Sequence, residues 1–185
     1  MRILAVSGSL RESSFNTSLL RAAIEAAPDG VELELWDGIG ELPFYDEGLE
    51  HDAPESVRRL REDWAAADAI LFSTPEYNGS VPGPLKNAID WASRPRLDAV
   101  LRNKPVAVIG ASTGQFGALW AQQDLKRILG IAGARVVGTE IPVARAHERF
   151  DAEGRLLDGE VFEQLRLHLT TLASEAVAAP ERVAA

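Results

Sequence analysis

The chain contains no cysteine among its 185 residues. This absence excludes disulfides, iron–sulfur clusters, thiolate nucleophiles and zinc sites built on thiolates. It also fits a reducing compartment, and we expect the protein to be cytoplasmic. The three histidines, His51, His147 and His168, lie far apart along the chain, so their spacing predicts no metal site.

Long apolar runs are also missing, so we expect no membrane partner. A strand-like segment begins at Arg2, which leaves no room for a signal peptide. The formal net charge of -9 argues against nucleic acid as a partner, because such binding depends on lysine and arginine neutralising phosphates. The length and the 46% hydrophobic content favour one domain spanning residues 1–185.

Short apolar runs alternate with longer amphipathic segments. The apolar runs predict five buried strands, at 3–6, 31–35, 69–72, 105–109 and 135–137. The amphipathic segments predict helices near 16–27, 54–64, 82–91, 118–129 and 159–178. This alternation indicates an α/β fold whose parallel sheet is covered by helices on both faces. We expect the alanine-rich segment after Pro180 to fray.

Right-handed crossovers place every strand-to-helix loop of such a sheet at the same edge. Ligands bind at that edge, where the order of the strands reverses. The loops after the first, third and fourth strands are therefore the places to look for a site.

The loop after the first strand is rich in hydroxyl groups. Residues 7–17 contain five serines and threonines, one glycine and Arg11, and they end at a predicted helix start. Hydroxyls, free backbone N–H groups, a guanidinium and the positive end of a helix suit a phosphate monoester. The loop lacks GxxxxGK[ST] and GxGxxG, which favours a terminal phosphate, such as that of FMN, over a bridging pyrophosphate. The alternative is a plain capping loop with Ser14 or Asn16 as the N-cap.

The loop after the third strand is stiff, because residues 74–87 include three prolines and two glycines. A stiff backbone over 76–79 suits the polar rim of a flat isoalloxazine ring, and the Asn78 side chain can donate or accept a hydrogen bond there. The alternative is a rigid connector. The glycine-rich turn at 112–114, after the fourth strand, is a weaker signal that an ordinary turn would also explain.

Two further features indicate packing or contact rather than chemistry. Trp91 and Trp120 lie on predicted helices near these loops, and such aromatic residues are usually core or interface. Residues 37–52 show no regular period and carry Leu42-Pro-Phe-Tyr45, so they predict a subunit contact.

Two segments carry a family resemblance. GSLRESSFN, at residues 8–16, and PEYNGSVPGPLKNAIDW, at residues 75–91, resemble the NADPH-dependent FMN reductase family. This flavodoxin-like group includes chromate, quinone and azo reductases. The similarity continues through 112–117 and 121–125, and it covers most of the chain from Met1 to about Pro142.

The resemblance implies a flavodoxin-like doubly wound five-stranded sheet of order 2-1-3-4-5, bound FMN, NAD(P)H as the donor, and a homodimer or homotetramer. It also implies three groups of cofactor-binding residues. Ser9, Arg11, Ser14, Phe15 and Asn16 would hold the phosphate; Pro75, Glu76, Tyr77, Asn78 and Gly79 would frame the ring; Ser112, Gly114 and Gln115 would close the site.

The expected activity needs no catalytic side chain, because flavin N5 carries the hydride chemistry. We expect a ping-pong cycle. NAD(P)H reduces FMN and leaves, and a small acceptor then binds, is reduced by FMN and leaves. Quinones, azo compounds, chromate and free flavin are all possible acceptors. The alternatives are a one-electron carrier of the flavodoxin type, whose Ser/Thr-x-Thr-Gly-x-Thr pattern the first loop lacks, and a non-enzymatic binding protein.

Overall fold

The computed structural model describes residues 1–178, so the segment expected to fray after Pro180 lies outside the described residues. Its central feature is a parallel sheet of order β2-β1-β3-β4-β5, with β6 also paired to β4. The strands are β1 (Arg2–Ser7), β2 (Glu32–Trp36), β3 (Ala69–Ser73), β4 (Pro105–Ala111), β5 (Arg135–Val136) and β6 (Pro142–Val143). The predicted α/β fold class and strand order are confirmed.

The fifth strand position differs from the prediction of one strand at 135–137. Two short strands share it: β5 pairs with the start of β4, and β6 pairs with its end through Gly110 and Pro142. Where the ladder is interrupted, the Ile141 N–H donates to Oε1 of the buried Gln122 side chain at 3.0 Å. A two-residue strand has no hydrophobic period of its own, which is why the sequence did not reveal β6.

Helices cover both faces of the sheet, as the alternating pattern predicts. They are α1 (Phe15–Glu25), α2 (Glu55–Ala66), α3 (Gly83–Ala92), α4 (Leu119–Ile131), α5 (Ala146–Arg149) and α6 (Gly159–Val177). Within residues 1–178, none of these helices is both long enough and apolar enough to pass through a membrane.

The core has two layers, because successive side chains of a strand point to opposite faces of the sheet. In β1, Ile3 and Ala5 belong to the layer that includes buried residues of α1 and α6. Leu4 and Val6 belong to the other layer, with buried residues of α2, α3 and α4. All four side chains are almost completely buried, so β1 is held from both sides and its carboxyl end is fixed.

Residues 37–52 contain more regular secondary structure than their sequence suggests. They contain two short 3-10 helices, at Gly38–Glu41 and Glu47–Leu49. The Pro43 carbonyl oxygen accepts hydrogen bonds from the Trp91 indole at 2.8 Å and from the Asn87 amide at 2.9 Å. Trp91 is fully buried, which agrees with the expected core or interface position, whereas Trp120 is 48% exposed.

Candidate functional site

The loops after β1 and β3 touch each other at the carboxyl edge of the sheet. Gly8 lies at the contact, and its N–H donates to the Ser73 carbonyl at 2.8 Å. A Cβ at this glycine would lie 2.9 Å from Leu85 and 3.3 Å from both Pro75 and Pro82. A larger residue at position 8 would therefore require Leu85 and the two proline rings to shift, so glycine allows the two loops to approach this closely.

Asn16 joins the same loop to two strands. Its Nδ2 donates to the Ala111 carbonyl at 3.0 Å, and its Oδ1 accepts from the Ala111 N–H at 2.9 Å and the Ser73 hydroxyl at 2.9 Å. The side chain is 97% buried and faces the sheet. This position differs from the expected phosphate contact: the Asn16 amide fixes the start of α1 against β3 and β4.

The start of α1 leaves backbone donors unused. Ser14 is the N-cap, and its Oγ accepts from the Asn16 N–H at 3.2 Å, so the capping interpretation of this serine is correct. Within residues 1–178, however, the backbone N–H groups of Ser13, Ser14 and Phe15 donate to no protein acceptor. Unpaired N–H groups at the positive end of a helix form an anion site.

Arg11 brings a positive charge to this anion site. Its guanidinium lies 5.6 Å from the centroid of the Phe15 ring, and in the described part of the chain it pairs with no carboxylate. Its backbone N–H donates to Ser9 Oγ at 3.3 Å, which folds the loop back on itself. Apart from the Asn16 side chain, the residues expected at the phosphate end therefore lie together. Within residues 1–178, no carboxylate neutralises the positive charge of Arg11 among them.

The loop expected to frame the ring is a tight hairpin. Asn78 and Gly79 have φ values of 53° and 76°, which is the two-residue turn that Asn-Gly favours. The N–H groups of Tyr77 and Ser80 each donate to the other residue's carbonyl, at 3.0 and 3.1 Å. The Tyr77 N–H is thus used, whereas those of Glu76, Asn78 and Gly79 have no acceptor within residues 1–178.

The hairpin is fastened to the start of α4. Glu76 Oε2 accepts from the Ala121 N–H at 3.1 Å, in a first turn whose own N-cap, Ala118, has no side-chain oxygen. One turn further along, Ser80 Oγ donates to Asp124 at 2.6 Å, and this bond, with the Arg127 guanidinium, lowers the pKa of Asp124. Sequence reasoning missed both contacts, because no local pattern links residues more than 40 positions apart.

The loop after β4 completes the edge. Ser112 Oγ accepts from the Gly114 N–H at 3.1 Å, and the carbonyls of both residues accept from Ala146 and Arg145 at 3.0 Å. Gln115 is exposed at the end of this turn. The turn is therefore supported from behind by the segment that begins α5, and it faces the same edge as the other two loops.

A groove of about 970 Å³ leads away from this edge between α3 and α4. Its lining includes Ser80 and Val81, in the segment that follows the hairpin, and Ile131 at the end of α4. Within residues 1–178, no cluster of three histidine or carboxylate side chains could hold a metal ion.

Known proteins are similar to this chain. The model of the NADPH-dependent FMN reductase family matches residues 1–148. The chain is 43% identical to an NAD(P)H-dependent FMN reductase of Pseudomonas aeruginosa, over 93% of each chain. It is 38% identical to a 2-hydroxy-1,4-benzoquinone reductase of a Burkholderia species, over 94% of this chain and 95% of the other.

A solved structure agrees in both fold and sequence. The flavoenzyme NAD(P)H:(acceptor) oxidoreductase FerB of Paracoccus denitrificans superposes with a TM-score of 0.84 at 37% identity, over 96% of this chain and 98% of the other. The three loops at the carboxyl edge lie within the region that the family model covers. This chain belongs to the NADPH-dependent FMN reductase family.

Proposed function

We propose that this protein is an FMN-dependent NAD(P)H oxidoreductase that reduces a small acceptor. One observation carries the proposal: a helix start with unused N–H groups and an unpaired arginine lies beside a stiff hairpin whose own N–H groups are unused. The first set suits a terminal phosphate, and the second suits the carbonyl rim of a flavin. Family membership supports the same cofactor.

The phosphate end is formed by the loop after β1. The N–H groups of Ser13, Ser14 and Phe15 would donate to phosphate oxygens, together with the Ser9 hydroxyl and the Arg11 guanidinium. Asn16 acts from behind by holding this helix start in place. Its function is thus to position the donors.

The ring end is formed by the hairpin and the turn after β4. The N–H groups of Glu76, Asn78 and Gly79 would face the carbonyl rim of the ring, and Ser112, Gly114 and Gln115 would close the other side. Pro75 is buried beneath the hairpin, whereas Tyr77 is 54% exposed beside it. FMN, when bound, supplies hydride transfer between NAD(P)H and the acceptor, so no catalytic side chain is required. The protein's own contribution is N–H groups that stabilise negative charge on the rim.

We propose a quinone as the acceptor class, because three relatives named quinone reductases are 38–44% identical to this chain over 69–94% of its length. Azo compounds, chromate and free flavin are the other acceptors to be tested. One domain, residues 1–185, would carry the whole activity, and the cytoplasm would supply its NAD(P)H.

The first test is a visible spectrum of the purified protein, followed by anaerobic titration with NADH and NADPH. We expect the absorbance of bound FMN, its loss on addition of pyridine nucleotide, and its return when a quinone is added. A protein that takes up no flavin would refute the proposal. A stable blue semiquinone without NAD(P)H oxidation would identify a one-electron carrier instead.

The second test removes the unpaired charge. Arg11→Ala should weaken FMN binding by about 1.5–3 kcal/mol, the usual contribution of a hydrogen bond to a charged group. Arg21→Ala is the matched control, because Arg21 is an exposed arginine on α1 beyond the anion site. Equal FMN dissociation constants for the two variants would remove Arg11 from the site.

We also propose a homodimer or homotetramer with a contact along the groove between α3 and α4. The groove exposes Leu97 and Ile131, at 80% and 76%, and it carries more cationic than acidic side chains in a chain of net charge -9. Beside α3, where the Asn87 side chain bonds the Pro43 carbonyl and the Tyr45 N–H, Phe44 is 91% exposed next to Asp46 and Glu47. A two-fold axis parallel to α3 would place the segment with Phe44, Asp46 and Glu47 of each copy against the groove of the other copy.

Light scattering tests this contact. The wild-type protein should have the mass of at least a dimer at micromolar concentration, and Phe44→Ser should shift it toward the monomer. Leu157→Ser is the control, because Leu157 is 66% exposed outside the contact. A monomeric wild-type protein would exclude the proposed assembly without affecting the cofactor proposal.

A further inference from the structure

Two large aromatic side chains are exposed next to the site. Phe116 and Trp120 are 47% and 48% exposed, and their ring centroids lie 4.7 Å apart at an interplanar angle of 54°. The other tryptophans, Trp36, Trp64 and Trp91, are at most 6% exposed. Trp120 is therefore the exposed one of the four tryptophans, and we name it and Phe116 the aromatic pair.

The backbone between the two rings is rigid. Gly117 and Ala118 both have positive φ, at 57° and 60°, and the Leu119 N–H donates to the Phe116 carbonyl at 3.0 Å. A Cβ on Gly117 would lie 2.5 Å from the Pro142 carbonyl carbon, so the turn is pressed against β6. The backbone that carries the aromatic pair is thus fixed before any ligand arrives.

The aromatic pair lies at the same edge as the proposed cofactor site. Phe116 directly follows Gln115, the last of the residues expected to close that site. Trp120 directly precedes Ala121, whose N–H donates to Glu76 of the hairpin at 3.1 Å. The pair therefore stands between the turn after β4 and the hairpin, beside the space proposed for the flavin ring.

The charged residues that follow Trp120 on the same face of α4 are paired with each other. Asp124 and Arg127, the next turns along the same face of α4, form an ion pair with a 2.6 Å separation. An apolar ring surface without a net charge favours a planar, uncharged aromatic molecule through stacking and burial. It offers little to a small, strongly hydrated oxyanion.

We infer that the aromatic pair is a stacking platform that selects planar aromatic acceptors. This inference rests on the proposed function and adds two specificity-determining residues to it. Such a platform would lower the KM for quinones and aromatic azo compounds, while leaving the reduction of FMN by NAD(P)H unaffected. Small inorganic acceptors would gain nothing from it.

Steady-state kinetics with paired acceptors test the inference. Trp120→Ala should lower kcat/KM for a naphthoquinone about 2- to 12-fold, which is about 0.5–1.5 kcal/mol at 1.4 kcal/mol per factor of ten. The values for ferricyanide and for NAD(P)H should be unchanged. Trp120→Phe keeps an aromatic ring and should recover most of the loss. Leu167→Ala removes an exposed side chain from α6 and should change none of these values.

Fluorescence gives a readout that requires no turnover. Because Trp120 is the exposed tryptophan, a dihydroxynaphthalene should quench the emission of the flavin-free protein saturably, and this component should disappear in Trp120→Phe. Phe116→Ala should raise the dissociation constant obtained from the saturation curve. Quenching that stays linear with concentration in the wild-type protein would overturn the inference.

The kinetic outcomes separate this inference from the cofactor proposal. If the protein binds no FMN, the proposed function fails. If FMN binds and is reduced normally, but Trp120→Ala lowers the quinone and ferricyanide values equally, only the platform is refuted. A selective rise in the KM for NAD(P)H would also refute it, because the pair would then contact the donor.

Discussion

Asn16 offers the sharpest test of how the fold supports the site. Replacing it with alanine removes three buried hydrogen bonds to Ala111 and Ser73. The Ser73 hydroxyl can rotate toward another acceptor, but the Ala111 N–H and carbonyl cannot move. Each buried group left unsatisfied costs about 1–3 kcal/mol, so Asn16→Ala should lower the free energy of unfolding by about 2–6 kcal/mol. That is a large part of the 5–15 kcal/mol that is typical of a domain.

Urea unfolding of the flavin-free protein, followed by tryptophan fluorescence, measures this loss as a lower midpoint at unchanged slope. Ser13→Ala is the control, because Ser13 is exposed in the same loop and its side chain makes no hydrogen bond within residues 1–178. Asn16→Asp keeps the acceptor oxygen but loses the donor, so it should also unfold early at neutral pH. An Asn16→Ala protein with the wild-type midpoint would refute the positioning role and return Asn16 to the list of ligand contacts.

Two other predictions concern stability. Burial, helped by the charge of Lys126, lowers the pKa of His168 from 6.5 to about 4. Above pH 6.5, His168 is neutral in both the folded and the unfolded chain, so it does not affect stability. As the pH falls toward 4, His168 binds a proton in the unfolded chain but not in the folded chain, which lowers the free energy of unfolding by about 3 kcal/mol. His168→Gln should remove this part of the acid sensitivity in unfolding midpoints taken from pH 7 to pH 4.5, and parallel curves would contradict it. Gly117→Ala should cost about 2–4 kcal/mol, because the new Cβ meets the Pro142 backbone at 2.5 Å with a positive φ. Gly130→Ala, in α4 with no heavy atom within 4 Å of a new Cβ, should instead stabilise the protein by about 0.5–1 kcal/mol, and equal midpoints for the two variants would contradict the steric argument.

Local patterns were enough to predict much of this architecture. Each apolar run that became β1, β3 or β4 is buried on both faces, which is the environment such runs favour. Asn78-Gly79 is a dipeptide typical of hairpin turns, and it forms one within the loop that the prolines and glycines predicted to be stiff. The position of the loops then followed from the handedness of parallel crossovers, which does not depend on side chains.

Contacts between distant residues escaped the sequence reasoning. The family resemblance implied that Asn16 holds the phosphate, and only the fold shows that its side chain bonds Ala111 and Ser73. Glu76 could be solvated or could cap another helix, and only the fold brings Ala121 within 3.1 Å of it. In both cases the side chain's partner lies 45 or more residues away, beyond any periodicity that a sequence can display.

The divided fifth strand position has a consequence for the behaviour of this protein at high concentration. A continuous outer strand is a template on which another chain can add by backbone pairing. Here Gln122, whose Nε2 donates to the Gly117 carbonyl and whose Oε1 accepts from Ile141, fills the gap from inside the molecule. Gly110 makes space for the Gln122 side chain, because a Cβ at residue 110 would lie 2.9 Å from Gln122 Nε2. This edge of the sheet is thereby divided into two strands of two residues each, which are too short to serve as a template for a neighbouring chain.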